Sequence, residues 1–515
     1  MIEPNRKRTL LLGAVSNYGS IFTSAIVTLI SVPIGLHYFG PVRYGIWFVM
    51  ASILAYLKMA DFGIGLSTLT HIAQSPESSH QRVILRHSIN LLLIIGSLLI
   101  GVILIVSYLF PSWIAIMGKI PSNFQKEAAI SVLILGILTF LQMPTTAFTA
   151  AFSGLQKVYW NRAYGAFNSI ASLVALLVTV LFQGNLVTLA IFTGVGSILV
   201  GIISGIHLFI TQPDIRPRFT EKITGAPSNK LIFTSGIRFL ALQVASLIIL
   251  STDNVVISHY LGPEMVTPYA ITFKIFLMCM IFINGSIVAL WPLYGQASEN
   301  NNWDWIQRTY NHVTLPLLVA GGLVWIGGII FCKQFINLWT GPTGYAGLLT
   351  VFALGGYVYL STFGGSNASI VNGLNPTNIV VICGLIEAAL NIGISILLVR
   401  SLGLGGVALG TFGAHLASSS WFYPLYIRYR TSKKISIEIK PILIHAFIVV
   451  LCVVLSLTVG INIERDWARS ALGVAIIILY LLMSWKVMPI SSQNRIKMFF
   501  TGMFPSKKIQ AGSNL

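Results

Sequence analysis

The sequence predicts an all-α polytopic membrane protein: about fourteen transmembrane helices, set as two six-helix lobes related by a pseudo-twofold along the membrane normal, plus two C-terminal helices. Three observations carry this. Charged residues make up only 9% of the 515 residues and mean hydropathy is +0.82, where a soluble domain carries about 25% charged residues. Apolar segments long enough to cross a bilayer, which takes about 20 residues each, recur along the whole chain. An internal repeat then relates the first half to the second.

In chain order the apolar segments fall near 10–39, 44–70, 88–110, 127–152, 158–182, 186–210, 231–259, 268–296, 311–332, 345–371, 378–400, 404–427, 441–461 and 468–488. The first follows Arg6, Lys7 and Arg8 and is too long for a signal-peptide core, with no small-residue cleavage site closing it. The longest internal connection, 211–230, is polar and contains prolines, and reads as a linker between halves. The expected organisation is therefore an N-lobe over 1–210, a linker over 211–230, a C-lobe over 231–430, and two further helices with a basic tail over 431–515.

The repeat is visible as text. His37-Tyr38-Phe39-Gly40-Pro41 closes the first segment and His259-Tyr260-Leu261-Gly262-Pro263 the seventh. Gly154-Leu155 and Gly373-Leu374 follow the fourth and tenth, and Gly184 and Gly403 sit in the fifth and eleventh hairpins. Six segments separate equivalents, an even number, so the halves share one orientation and a site is expected near the midplane between them.

Net charge is +18, from 32 Lys and Arg against 14 Asp and Glu. Nucleic acid is not the expected partner, because the excess belongs to loops. With the N-terminus placed in the cytoplasm, 22 of the 32 cations fall on the cytoplasmic side and seven on the outer side, the bias that orients membrane proteins. Both termini are then cytoplasmic. The remaining three, Lys58, Arg238 and Lys274, lie inside segments. Cysteines 279, 332, 383 and 452 show no metal spacing and read as small buried hydrophobes. No metal or cofactor is expected. No GxxxxGK[ST] loop occurs, which argues against nucleotide hydrolysis, and no soluble domain offers room for an enzyme.

Phe39-Gly40-Pro41-Val42-Arg43-Tyr44-Gly45-Ile46-Trp47 resembles the first outer hairpin of the polysaccharide-transport branch of the multidrug/oligosaccharidyl-lipid/polysaccharide flippase superfamily. Asp61-Phe62-Gly63-Ile64-Gly65 resembles the end of that branch's second helix, and Gly154-Leu155-Gln156 its fourth inner turn. The resemblance covers nearly the whole chain. It implies a Wzx-type O-antigen flippase of the bacterial inner membrane, carrying polyprenyl-pyrophosphate-linked oligosaccharide to the outer leaflet. It also suggests a polysaccharide polymerase and a chain-length regulator as partners. A cation-coupled multidrug antiporter of the same superfamily is the alternative; a membrane polymerase fits less well, because the outer loops are short.

Such a cargo needs a polar path with cations for its phosphates. Lys58 is placed deep in the second segment and Arg238 toward the inner end of the seventh, and these two are expected to receive the pyrophosphate. Lys274, in the eighth segment, and Arg43, at the outer mouth, are expected to ease its release. The competing reading for Arg238 and Lys274 is snorkelling to the interface. Asp61, three residues after Lys58, is expected to pair with it on one helical face. Asp253 and Glu387 are candidates, with Asp61, for gating or for coupling to a proton or sodium ion. Trp47, Tyr56, Trp291 and Tyr294 could stack on sugars, though packing is the more ordinary use of such residues. Gly63, Gly65, Pro33 and Pro292 mark expected helix breaks.

Overall fold

The computed structural model describes residues 4–75, 77–218, 229–288, 290–374, 377–432, 434–435, 438–463, 465–489 and 492–494. Most of the linker expected at 211–230 lies outside the described residues. The N-terminal half runs through α1 (Pro4–Lys58), α2 (Ile64–Gln74), α3 (Ser78–Leu109), α4 (Ser122–Gln142), α5 (Thr146–Gly154), α6 (Val158–Leu181) and α7 (Leu186–Thr211). The second half comprises α8 (Asn229–Tyr260), α9 (Pro263–Val288), α10 (Trp291–Glu299), α11 (Trp303–Thr340), α12 (Leu348–Gly373), α13 (Thr377–Ala417) and α14 (Ser419–Arg430). Two further helices, α15 (Ile439–Asn462) and α16 (Asp466–Val487), complete the chain.

Eleven described helical runs are long and apolar enough to cross a membrane. Glycine turns inside α1 and α13 fold each into two crossings, and α8 supplies the fourteenth. Gly40 adopts φ 70° and ψ 171°, and Gly403 φ 57° and ψ −135°, values a side chain would resist. The first repeat is a repeat of conformation as well as of text: Gly262 also has positive φ, 98°, and each glycine precedes a proline that starts the next helix, where a missing N–H costs nothing. The Gly184/Gly403 match is weaker, since in the first half the left-handed residue is Gln183, at φ 50°.

The lobes meet along two seams. At one, α1 packs against α9, and the Thr267 hydroxyl donates to the Pro41 carbonyl over 2.6 Å. At the other, α2 and the second half of α1 pack against α8. Here the Lys119 N–H donates to the Ser258 carbonyl over 3.0 Å near one end, and the Ser67 hydroxyl to the Ile232 carbonyl over 2.8 Å near the other. Pro33 cannot supply the N–H that the Leu29 carbonyl would normally accept. Trp339 of α11 does so instead, its indole N–H donating over 2.8 Å.

The last two helices pack on α11. They are anchored there by buried His445, whose Nδ1 lies 3.1 Å from the Tyr359 hydroxyl and Nε2 3.1 Å from that of Tyr480. Tyr480 also donates to the Val319 carbonyl over 2.9 Å. Outward faces stay apolar and exposed, as Ile94, Leu98, Val102 and Ile105 on α3 illustrate, which suits hydrocarbon as the surrounding solvent.

Candidate functional site

The membrane-depth break that Gly63 and Gly65 announce is present, directly after Lys58. The helix ends at Lys58; Met59–Asp61 form a tight 3₁₀ turn; then Phe62 (φ 52°) and Gly63 (φ 73°) are both left-handed, and α2 starts at Ile64. The Asp61 carboxylate caps the new start, accepting the Gly63 N–H over 2.9 Å. This corrects the expected Lys58–Asp61 pair. Once the helix stops at Lys58 the regular three-residue spacing is lost, and Asp61 turns to the orphan N–H of the break. Among the described residues Lys58 makes no ion pair. It sits in the last turn of its helix, where cations offset the carbonyl end, deep in the protein's mass yet with an exposed side chain.

The α8 helix closes on this break. A Cβ built on Gly236 would meet the Phe62 carbonyl oxygen at 2.6 Å and the Gly63 and Ile64 backbone at 3.2 Å, so only glycine permits the approach. Arg238 is two residues further along α8, which places it on the helix that covers the break; its side chain lies outside the described structure. Arg238 thus stands on α8 at the level of the break, about 200° round the helix from the face on which Gly236 meets Phe62. Higher on the same seam Tyr56 hydrogen-bonds Thr252, and the Asn254 amide donates to the Ser52 hydroxyl over 3.0 Å.

Lys274 lies deeper than its segment boundary suggested, because α9 starts at Pro263 rather than 268. Eleven residues at 1.5 Å each put it about 16 Å below that end, too far for easy snorkelling. Its ammonium sits 4.8 Å from the centre of the Phe48 ring of the other lobe, a cation–π contact across the seam. Arg43 is already engaged. It pairs with Glu127 at 3.2 Å and covers the Phe124 ring at 5.0 Å, while Glu127 also accepts the Leu186 N–H over 2.9 Å. That group ties the start of the second crossing to α4 and α7.

Asp253 is buried between α8, α9 and α13. Its Oδ2 accepts the Tyr269 hydroxyl and, over 3.1 Å, the Thr411 hydroxyl, which in turn accepts the Asn391 amide over 2.9 Å. Asp253 Oδ1 and Asn391 Oδ1 are each buried without a hydrogen-bond donor, which is costly for an acceptor left unsatisfied. Glu387 is saturated instead. His415 Nδ1 lies 2.8 Å from Oε1, and the Ser418 and Ser419 hydroxyls both donate to Oε2. Tyr269, Thr411, Asn391 and His415 were not assigned roles from sequence. Tyr269 comes from α9 and the other three from the two arms of α13, which the Gly403 turn folds together, so no helical spacing joins them to their carboxylates. Among the aromatic candidates, Tyr294 is buried against Trp305 and Trp291 is exposed. Among the described residues no cluster of three or more His, Cys, Asp and Glu could hold a metal.

Two lobes of six crossings, a broken helix at their seam and two appended helices define the class. The structure superposes on the lipid II flippase MurJ in an inward closed conformation with a TM-score of 0.68, at 18% identity, covering 92% of this chain and 98% of that one. An inward-facing multidrug resistance MATE transporter gives 0.67 at 16% identity, covering 82% and 98%. The fold is that of transporters of the MOP superfamily. The chain itself belongs to the polysaccharide biosynthesis protein family, whose description matches residues 10–298. A Yersinia pseudotuberculosis protein named for O-antigen export is 22% identical over 442 residues, 82% of this chain and 97% of that protein. A Salmonella typhi protein named as an O-antigen transporter is 22% identical over 334 residues, 62% and 72% of the two chains.

Proposed function

We propose that the protein is a flippase that carries a polyprenyl-pyrophosphate-linked oligosaccharide of the O-antigen type from the cytoplasmic to the outer leaflet of a bacterial inner membrane. The lobes rock about the seam, and no bond is made or broken. The observation that carries this reading is the break after Lys58. An unpaired, accessible ammonium at membrane depth is expensive next to lipid and finds its use beside a watery path. Broken helices at a lobe interface are the usual builders of such sites.

In this reading Lys58, with Arg238 on the facing helix, receives the pyrophosphate from the inner side. Lys274 offers the next cation toward the outer side, where its contact with Phe48 is exchanged for phosphate as the lobes part. Arg43 acts on release only if it leaves Glu127, so its main contribution is to hold the outer hairpin. Asp61 shapes the break and keeps its charge three residues from Lys58. Ion coupling falls to Asp253, whose buried Oδ1 has no hydrogen-bond donor and suits a proton or sodium ion, while Glu387 is committed to His415 and two serines. A polymerase and a chain-length regulator would take up the delivered units.

The test is a lipid extract from cells depleted of the protein, scored for lipid-linked oligosaccharide and the leaflet that holds it. The reading expects accumulation on the cytoplasmic leaflet and loss of surface polysaccharide. Unchanged glycolipids with altered sensitivity to cationic drugs would replace it with the antiporter alternative.

A further inference from the structure

A polar cavity lies away from the lobe seam, where α10, α12 and α14 end together. Its volume is about 310 Å³, and its lining includes Ser298, Trp303, Arg430, Thr431, Ser432 and Lys434. That volume is at the small end of ligand-binding pockets. Among the described residues no carboxylate contributes to the wall, and the polar lining offers two cations and the hydroxyls of Ser298 and Ser432, the Thr431 hydroxyl donating to the Ile427 carbonyl over 2.8 Å. Among the described residues neither Arg430 nor Lys434 has an ion-pair partner.

The chain is folded to put both cations on one cavity. Ser432 is left-handed, with φ 49°, and turns the chain back just after α14. The Lys434 N–H then donates to the Thr431 carbonyl over 2.9 Å, and the Lys434 ammonium is held 5.3 Å from the centre of the Trp303 ring. Unpaired cations beside hydroxyl donors match the oxygens of a phosphate.

The helix that ends at the cavity presents an apolar face. Trp421, Leu425 and Tyr429 on α14 are exposed by 60%, 66% and 82%. Spaced four residues apart, they form one stripe along the helix that runs toward Arg430. A ligand with hydrocarbon at one end and phosphate at the other fits stripe and cavity together. The competing account is that Arg430 and Lys434 only offset the carbonyl end of α14. It explains the charges but neither the cavity nor the stripe.

We propose that this cavity binds the phosphate of a membrane lipid in the leaflet on the Arg430 face, with the lipid's chains lying along Trp421, Leu425 and Tyr429. The site is separate from the Lys58 break, and the proposal does not depend on the cargo assigned above. Two sources share the chemistry: a bulk anionic phosphoglyceride and a polyprenyl pyrophosphate.

The test uses the purified full-length protein in detergent and native mass spectrometry of lipid adducts. The probes are phosphatidylglycerol, phosphatidylcholine and farnesyl pyrophosphate. Wild type is expected to retain phosphatidylglycerol in preference to phosphatidylcholine, and the double variant Arg430→Gln/Lys434→Gln to retain it about thirtyfold less. A charge-matched control on the opposite face, Lys126→Gln/Lys333→Gln, is expected to behave as wild type. Displacement of phosphatidylglycerol by equimolar farnesyl pyrophosphate supports the proposal and assigns the site to the polyprenyl source; resistance to it supports the proposal with bulk lipid as the occupant. Equal retention by wild type and the Arg430/Lys434 variant overturns the proposal, and so does equal loss in both double variants.

Discussion

Substituting Gly236 by Ala should prise the lobes apart at the Ile232 end of the α2–α8 seam. The added Cβ would sit 2.6 Å from the Phe62 carbonyl oxygen, where ordinary contact begins at 3.4 Å. The helix must therefore retreat by about 0.8 Å, and backbone cannot step aside by changing rotamer. Overpacking of this kind costs about 1–3 kcal/mol, charged only to conformations in which the seam is shut. Elsewhere Ala favours the helix by about 1 kcal/mol over Gly, so the folded protein should not be lost. The closed seam then falls in population about 5- to 150-fold. A thiol at Ser67→Cys, beside Ile232, reports this opening, and three of the four native cysteines are buried. Maleimide labelling should accelerate in Gly236→Ala relative to Gly236. An unchanged rate in folded protein would mean that α8 does not gate access to the break, and the argument from its close approach would fall.

The two buried carboxylates should separate in function. Asp253→Asn is expected to remove the gradient dependence of transport, measured in proteoliposomes with and without an imposed ion gradient, while Glu387→Gln keeps it; the opposite pattern would transfer coupling to Glu387. Glu387→Ala, by leaving His415 and two serines without their acceptor, should destabilise the protein by about 1–3 kcal/mol in a detergent thermal melt. Tyr480→Phe removes the hydroxyl that joins His445 to the Val319 carbonyl. It should lower the same melt by a comparable amount and leave flipping intact, since it loosens the appended helices and not the seam.

Much of the architecture was legible because the membrane simplifies the problem. Length, apolarity and the Gly-Pro turns at 40–41 and 262–263 specify crossings, and the shared turn specifies the repeat. The break after Lys58 could be read from Asp61-Phe62-Gly63-Ile64-Gly65, because two glycines so close weaken a helix at depth. What escaped was pairing across helices. Asp61 looked like the partner of Lys58 under regular helical spacing, yet the break itself cancels that spacing. Arg43 looked free at a mouth, but Glu127 stands 84 positions later on α4, and nothing local announces the meeting. The partners of Asp253 likewise come from α9 and α13, and those of Glu387 from beyond the Gly403 turn, which only the folded lobe brings together. Lys274 was placed too near the surface because Pro268 was read as a segment boundary, while the helix passes through it from Pro263.

The central claim is that Lys58 at the helix break meets the phosphates of the cargo. Cells whose only copy carries Lys58→Ala or Lys58→Arg test it, with lipid-linked oligosaccharide measured on each leaflet. The account predicts that Lys58→Ala accumulates the cytoplasmic-leaflet form with the protein still present in the membrane, and that Lys58→Arg restores most of the outer-leaflet form. Wild-type leaflet distribution in a stably expressed Lys58→Ala variant would contradict it.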